Sequence, residues 1–276
     1  MYSPIEHIAK ALHLSRWKDC WFAMYTVYGD ASGSEDRDRA TVVACFMHSV
    51  QGWIEWDIEW QELLKAYDVP YLHMREFAHS VGPFAKWKGD ERIRRAFLGN
   101  ALDIIVRSGA MNFATVVDSA AFTQFEARHG VRHTLLSSYL FAARVCFSSI
   151  TGWCRENRVN APVEYVFEQG DPNQNMLRTI AKVDHLPEPI FRPKIDDDPQ
   201  RTVRPLQAAD LLAYEIVKGY RDVGKRPLRE PLKRLERTTH DWGIYDESNI
   251  DKLVPISDAV GAIEAVLSAD KENPPG

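Results

Sequence analysis

No stretch of the sequence reaches the ~18–20 continuous apolar residues that a membrane-spanning helix requires. Its start carries no compact apolar segment followed by a cleavage site, so the expectation is a cytoplasmic protein with no membrane partner. Cysteine is scarce, with four in 276 residues. Cys20, Cys45, Cys146 and Cys154 form no C-x-x-C pair, so neither a disulfide framework nor a zinc site is read from them. Cys45 and Cys146 lie in apolar runs, where a free thiol behaves as a small hydrophobe. There is no G-x-x-x-x-G-K-[ST] loop and no G-x-G-x-x-G, so phosphate-loop and dinucleotide-binding functions have no support. HMREFAH, residues 73–79, puts its Glu and second His at the wrong positions for an H-E-x-x-H zinc helix. Internal repeats, low-complexity tracts and domain linkers are lacking as well.

What is present is an ordinary globular balance, 45% apolar and 26% charged. The chain is long enough to bury a substantial core. The formal net charge of −5 argues against a role built on non-specific nucleic-acid binding. Its distribution is uneven. Residues 218–237 hold eight basic and three acidic side chains, a local excess of +5 that suits either a phosphate backbone or a solvated helical face.

Hydrophobic periodicity predicts an amphipathic helix over 4–22 that reads as an N-terminal extension, residues 1–23. A single domain follows over 24–268, with a disordered tail over 269–276. Strands are predicted at 25–32, 40–48, 111–118, 163–169 and 189–195. The run ATVVACFMH is apolar nearly throughout and suits a strand covered on both faces. Helices are predicted from the Trp-rich stretch to about 67, over 91–108 and 132–154, briefly after 172, from Pro205 to about 220, and over 256–268. Trp53, Trp56 and Trp60 fall at helical spacing, and such a stripe is read as core rather than as a base-stacking surface. Strands alternating with helices imply an α/β fold, a mixed five-stranded sheet with helices on both faces.

Three acids stand where acids are costly. In PLQAADLLAYEIV, Asp210 lies within the buried stripe marked by Leu206, Ala209, Ala213 and Val217. An unpartnered carboxylate there costs several kcal/mol or loses its charge. It requires a cation, a donor or a metal, and a structural partner would be Arg204 or Lys194. Asp30 and Glu168 each end a predicted strand, where α/β sheets place ligands. Taken singly, each is equally well a turn residue. If the first and fourth strands are neighbours under the Pro205 helix, the three carboxylates converge. Divalent cations relieve the resulting repulsion, and oxygen-only ligands suit Mg²⁺ or Mn²⁺. Two such ions can work together on a phosphodiester.

The segments YGDASGS around Asp30, YLH around His73, VFEQGD around Glu168 and LQAADLLAY around Asp210 resemble the domain-of-unknown-function family 3800, over roughly residues 24–220. The last segment is the most specific of the four. The resemblance implies a ribonuclease-H-like fold with strand-strand-strand-helix-strand-helix order. It also implies an acidic site like that of metal-dependent nucleases, carried here by Asp30, Glu168 and Asp210. Such sites usually include a fourth acid. Glu76, Asp171 and Asp118 are the candidates in that order, although Asp118 equally suits a helix N-cap. His73 is three residues from Glu76 and is a candidate proton carrier or outer ligand. Lys194, Ser34 and Arg221 are candidate phosphate contacts.

The expected function is therefore a metal-dependent nuclease acting on DNA or RNA. The alternative is a catalytically inactive binding module for nucleic acid or a partner protein. Phosphotransfer is disfavoured: Asp-x-Ser-Gly-Ser is similar to the phosphate loop of actin-like kinases, but those need two copies of the fold.

Overall fold

The first two predicted strands open one sheet in the computed structural model, which describes Ile5 and residues 24–33, 39–129, 137–171 and 173–253. Strand β1, Tyr25–Ser32, pairs antiparallel with β2, Ala40–Ser49, and β2 pairs antiparallel with β3, Met111–Asp118. Strand β4, Val163–Glu168, runs parallel to β1, and the short β5, Ile190–Arg192, runs parallel to β4. A sixth strand, β6, His240–Tyr245, lies parallel to β3. The order across the sheet is β5-β4-β1-β2-β3-β6.

The expected five-strand sheet is thus corrected to six. The missed strand reads HDWGIY and sits at an edge, with none of its residues buried. An edge strand needs no apolar alternation, so the pattern used to find strands is missing there. The central strand β2 is the opposite case. Its first eight residues are all buried, as its apolar run predicts for a strand covered on both faces.

Helices cover both faces. Between β2 and β3 come α1, Val50–Ala66, α2, Met74–His79, a 3₁₀ turn, Gly82–Trp87, and α3, Glu91–Ser108. After β3 come α4, Ser119–His129, and α5, Ser138–Glu156. Helix α6, Gln174–Val183, joins β4 to β5. Helix α7, Pro205–Asp222, and the short α8, Glu230–Leu235, precede β6.

Strand parity divides the core in two. Val42, Ala44 and Phe46 face one cluster, built with α1, α3 and α7. Val43, Cys45 and Met47 face the other, built with α4, α5 and α6. Trp53, Trp56 and Trp60 are buried in the first cluster, and Trp56 stacks on Trp60 with centroids 4.5 Å apart. The core reading of that trio therefore stands. Cys45, Cys146 and Cys154 are free thiols in the core.

One helix boundary and one additional helix differ from expectation. The single helix read over 132–154 is α5 from Ser138, and α4 precedes it. Helix α4 is short and weakly amphipathic, which hid its period. The N-terminal helix over 4–22 falls outside the described residues apart from Ile5, which is buried in the first cluster. The helix expected over 256–268 and the tail over 269–276 also lie outside them.

Candidate functional site

Parity aims the first two acids at the same helix. Tyr28 and Val166 belong to the cluster under α7, so Asp30 and Glu168, two residues further along β1 and β4, leave the sheet on that face. The strands are parallel, with Gly29 opposite Phe167 as the last registered pair. Asp30 and Glu168 follow at once on both chains. Gly29 is required for this approach, because a Cβ there would lie 2.5 Å from the Phe167 ring and 2.9 Å from Cys45 Sγ. Helix α7 crosses β1 and β2 on this face and brings Asp210 down from above.

The cation that meets these acids is Lys194. Its Nζ lies 2.7 Å from Asp30 Oδ2, 2.9 Å from Glu168 Oε2 and 3.8 Å from Asp210 Oδ1. Lys194 is 4% exposed, so the ammonium faces carboxylates rather than solvent. Its backbone is held from α7, since Gln207 Nε2 donates to the Lys194 carbonyl at 3.2 Å. The second oxygens of the two aspartates have backbone partners. Ala31 N donates to Asp30 Oδ1 at 2.8 Å, and Met74 N, in the first turn of α2, donates to Asp210 Oδ2 at 2.7 Å.

The electrostatics follow from burial. Desolvation pushes the Asp30 carboxyl up to about 7. Lys194 opposes that rise, while Asp210 and Glu168 add to it. Burial alone would depress the Lys194 ammonium, but the three acids together hold it above its usual range.

Asp30 and Glu168 also border an open cleft of about 400 Å³, with Tyr139, Gly170, Asp171 and Asn173 on its other walls. The Tyr139 hydroxyl donates to Asp171 Oδ2 at 2.7 Å, and Asn173 N donates to Asp171 Oδ1 at 2.7 Å. Burial, and then the Asp171 charge, hold the Tyr139 phenol well above its ordinary range. Among the fourth-acid candidates, Asp171 is the one that shares a cleft with Asp30 and Glu168.

The others are placed elsewhere. Glu76 Oε2 accepts from the Tyr71 hydroxyl at 2.9 Å, and Glu76 Oε1 lies 3.6 Å from His73 Nδ1. His73 is the extended residue before α2, not part of its helical face. The pair flanks Met74, whose backbone N–H reaches Asp210. Asp118 caps α4, accepting from Ala120 N and Ala121 N at 3.0 Å, and accepts from the Tyr220 hydroxyl at 2.9 Å. Arg221 is eleven residues beyond Asp210 on α7, roughly 16 Å along the helix. Ser34 lies outside the described residues. Arg204, considered as a partner for Asp210, instead meets the fully buried Asp57 at 3.3 Å.

Sequence reasoning missed Gln207 altogether. Its Oε1 accepts from Trp60 Nε1 at 2.9 Å and from Leu72 N at 3.0 Å. With its bond to Lys194, this buried amide ties α1, the segment before α2 and the segment after β5 to the start of α7. A polar residue three positions before Asp210 on the same buried stripe was the available signal. Tyr139 was missed because an aromatic near the start of an apolar helix reads as core.

Among the described residues, no group of three or more His, Cys, Asp or Glu side chains is arranged to hold a metal ion. The acid trio spreads around the Lys194 ammonium instead. No helix among the described residues is long and apolar enough to cross a membrane. Comparison with known proteins finds no family model, curated protein or solved structure that matches this chain. The class that can be stated is therefore that of the fold: an α/β protein with a six-stranded mixed sheet and an acid-rich cleft at the carboxyl ends of its parallel strands.

Proposed function

We propose that this chain is a divalent-metal-dependent phosphodiesterase of ribonuclease-H-like architecture, acting on DNA or RNA in the cytoplasm. The observation that carries the reading is the convergence of Asp30, Glu168 and Asp210, from β1, β4 and α7, beside an open cleft. Three antiparallel strands, β1 to β3, followed by helices, the parallel β4, a helix, the parallel β5 and a helix support the architecture, with α1, α2 and α3 inserted between β2 and β3.

The donor chemistry suits a hard cation, although the present arrangement is turned to the Lys194 ammonium. Every donor is a carboxylate oxygen, which suits Mg²⁺ or Mn²⁺ rather than zinc. Burial raises the Asp30 carboxyl most, and the Asp210 and Glu168 charges add to that rise against the pull of Lys194. Asp30, Glu168 and Asp210 are the proposed ligands, with Asp171 across the cleft as the fourth acid. A bound divalent ion would supply charge neutralisation at a phosphoryl oxygen and an activated water. The chain's own contribution is orientation: Met74 N fixes Asp210, Ala31 N fixes Asp30, and Tyr139 and Asn173 fix Asp171.

The test is cleavage of single-stranded, duplex and hybrid oligonucleotides with Mg²⁺ or Mn²⁺ present or chelated. Loss of even an outer-shell partner costs about 10–100-fold, so Asp210→Ala should cost at least about a hundredfold. Cleavage of none of the substrates, or full activity in Asp210→Ala, sinks the proposal.

The second reading is a non-catalytic module for nucleic acid or a partner protein. Lys194 favours it, because an ammonium already partners all three acids. Calorimetry with Mn²⁺ separates the two, since a module of this kind takes up no divalent ion through Asp30 and Glu168.

A further inference from the structure

Strands β1, β4 and β5 run parallel and finish side by side at the site. Their ends and the turns that follow, residues 30–33, 168–171 and 192–194, hold two cations, Arg192 and Lys194. Lys194, a phosphate contact expected from the sequence, is spent on the acids. Its side chain is 4% exposed, and its Nζ lies 2.7 Å from Asp30 Oδ2 and 2.9 Å from Glu168 Oε2. Arg192 is exposed. A guanidinium has five N–H donors. Among the described residues Arg192 commits one of them, from Nη1 to the carbonyl of its own neighbour Phe191 at 3.2 Å.

The backbone decides where that guanidinium stands. Arg192 is registered opposite Glu168, and its carbonyl accepts from Gln169 N at 2.8 Å. Phe167 and Phe191 are buried in the second cluster, so the residues after them, Glu168 and Arg192, leave the sheet on the α7 face. Glu168 and Gln169 line the cleft, which puts Arg192 one strand outward, along its rim. Charge on an edge strand also has a plain structural use, since it discourages pairing with other strands. The acids add a second demand here. Asp30, Glu168, Asp171 and Asp210 outnumber the one buried ammonium, so an anionic chain entering the cleft is repelled unless a cation meets it at the rim. A planar guanidinium takes two phosphate oxygens at once. The cleft, about 400 Å³, has room for a nucleotide unit and not for a duplex.

We infer that Arg192 holds a backbone phosphate of single-stranded nucleic acid at the β5 rim of the cleft, and that it makes this contact in place of Lys194. The inference rests on the nucleic-acid part of the reading above and needs no bound metal.

The experiment is fluorescence anisotropy of the full chain with labelled single-stranded DNA and RNA, in chelator, between about 50 and 200 mM salt. Arg192→Gln is expected to bind more weakly than the wild type and to flatten the salt slope by about 0.7, the share of one contact to a single strand. Across that range its affinity then falls by roughly 2.6-fold less than the wild type's. Arg192→Lys keeps the charge without the planar fork, so it should keep the slope and still bind more weakly. Arg201→Gln removes another exposed arginine of the segment after β5, one that faces Asp196 at 3.5 Å, and should leave the slope alone. An unchanged slope in Arg192→Gln, or equal flattening in Arg201→Gln, overturns the inference and leaves the nucleic-acid reading standing. The same holds if Arg192→Gln changes only self-association, read by light scattering, as a guard on the edge strand would. No binding by the wild type overturns the nucleic-acid reading itself, and the inference with it. Should Arg192→Gln not fold, Arg192→Lys decides, because affinity equal to the wild type's would mean that no planar phosphate contact is made.

Discussion

Burial drives the Asp30 carboxyl up to about 7, against the pull of Lys194 and with Asp210 and Glu168 pushing in the same direction as burial. Its ordinary value is 3.8, and the unfolded chain returns to near that value. Between about pH 4 and pH 7 the folded chain therefore holds a proton that the unfolded chain has released. Linkage makes stability fall as pH rises through this window and level off above it. Asp30→Asn removes the titration, so the variant should lose this part of the slope, on the order of 2–4 kcal/mol across the window. Denaturant unfolding of both proteins in chelator at pH 4, 5, 6 and 8 checks this. Parallel pH profiles for the two proteins would show that Asp30 is not the group responsible. The same residue illustrates why the site needs a cation at all: without Lys194, three acids would share one partly desolvated corner.

At the scale of elements, the site depends on the close approach of β1 to β4, whose Phe167 fills the space beside Gly29. Gly29 makes that possible, with the Phe167 ring and Cys45 Sγ occupying the space a side chain would fill. Phe167 is in turn packed edge-on against Phe147 of α5, with centroids 5.7 Å apart. Gly29→Ala should therefore destabilise the fold by overpacking, by about 1–3 kcal/mol. It should also displace Asp30, the next residue, and weaken Mn²⁺ uptake. Equilibrium unfolding and a metal titration on the same variant measure both effects. A variant of unchanged stability would mean that the β1–β4 spacing is less constrained than the contacts imply. Helix α7 has the complementary role, since one stripe of it supplies Leu206 to the core, Gln207 to the Lys194 backbone and Asp210 to the acids.

For the molecule as a whole, charge is the property most open to measurement. The basic stretch over 218–237 is largely committed to structure. Arg229 forms two bonds to the fully buried Glu215, Arg234 bonds Asp103 and the Gly99 carbonyl, Lys233 approaches Glu230, and Lys218 lies over the Tyr214 ring. Lys225, Arg226 and Arg237 stand exposed. Three phosphate contacts to a single strand give a salt slope of about −2, or roughly a twentyfold loss of affinity between 50 and 200 mM salt. Oligonucleotide binding by fluorescence anisotropy across that range tests the number. A slope several times steeper would mean that a larger basic surface takes part.

The sequence by itself determined much of the sheet and the oddity of one acid. Apolar runs and alternation located β1 to β5, because a central strand must bury one or both faces and its residues record that demand. Asp210 declared itself because a carboxylate in a helix's buried stripe is costly enough to require a partner. Position within the chain could not say which partner. Lys194 and Arg204 were equal on paper, and only the path of the segment between β5 and α7 sent one to the acids and the other to Asp57. Strand β6 stayed hidden because an edge strand is held by backbone bonds to β3 more than by its side chains. In the sequence Glu76 ranks ahead of Asp171 as the fourth acid, and nothing local shows which of the two reaches the cleft. The tertiary structure set Asp171 on the cleft with Asp30 and Glu168, and turned Glu76 toward Tyr71. Local chemistry announces which groups need partners, whereas the convergence of distant segments chooses among them.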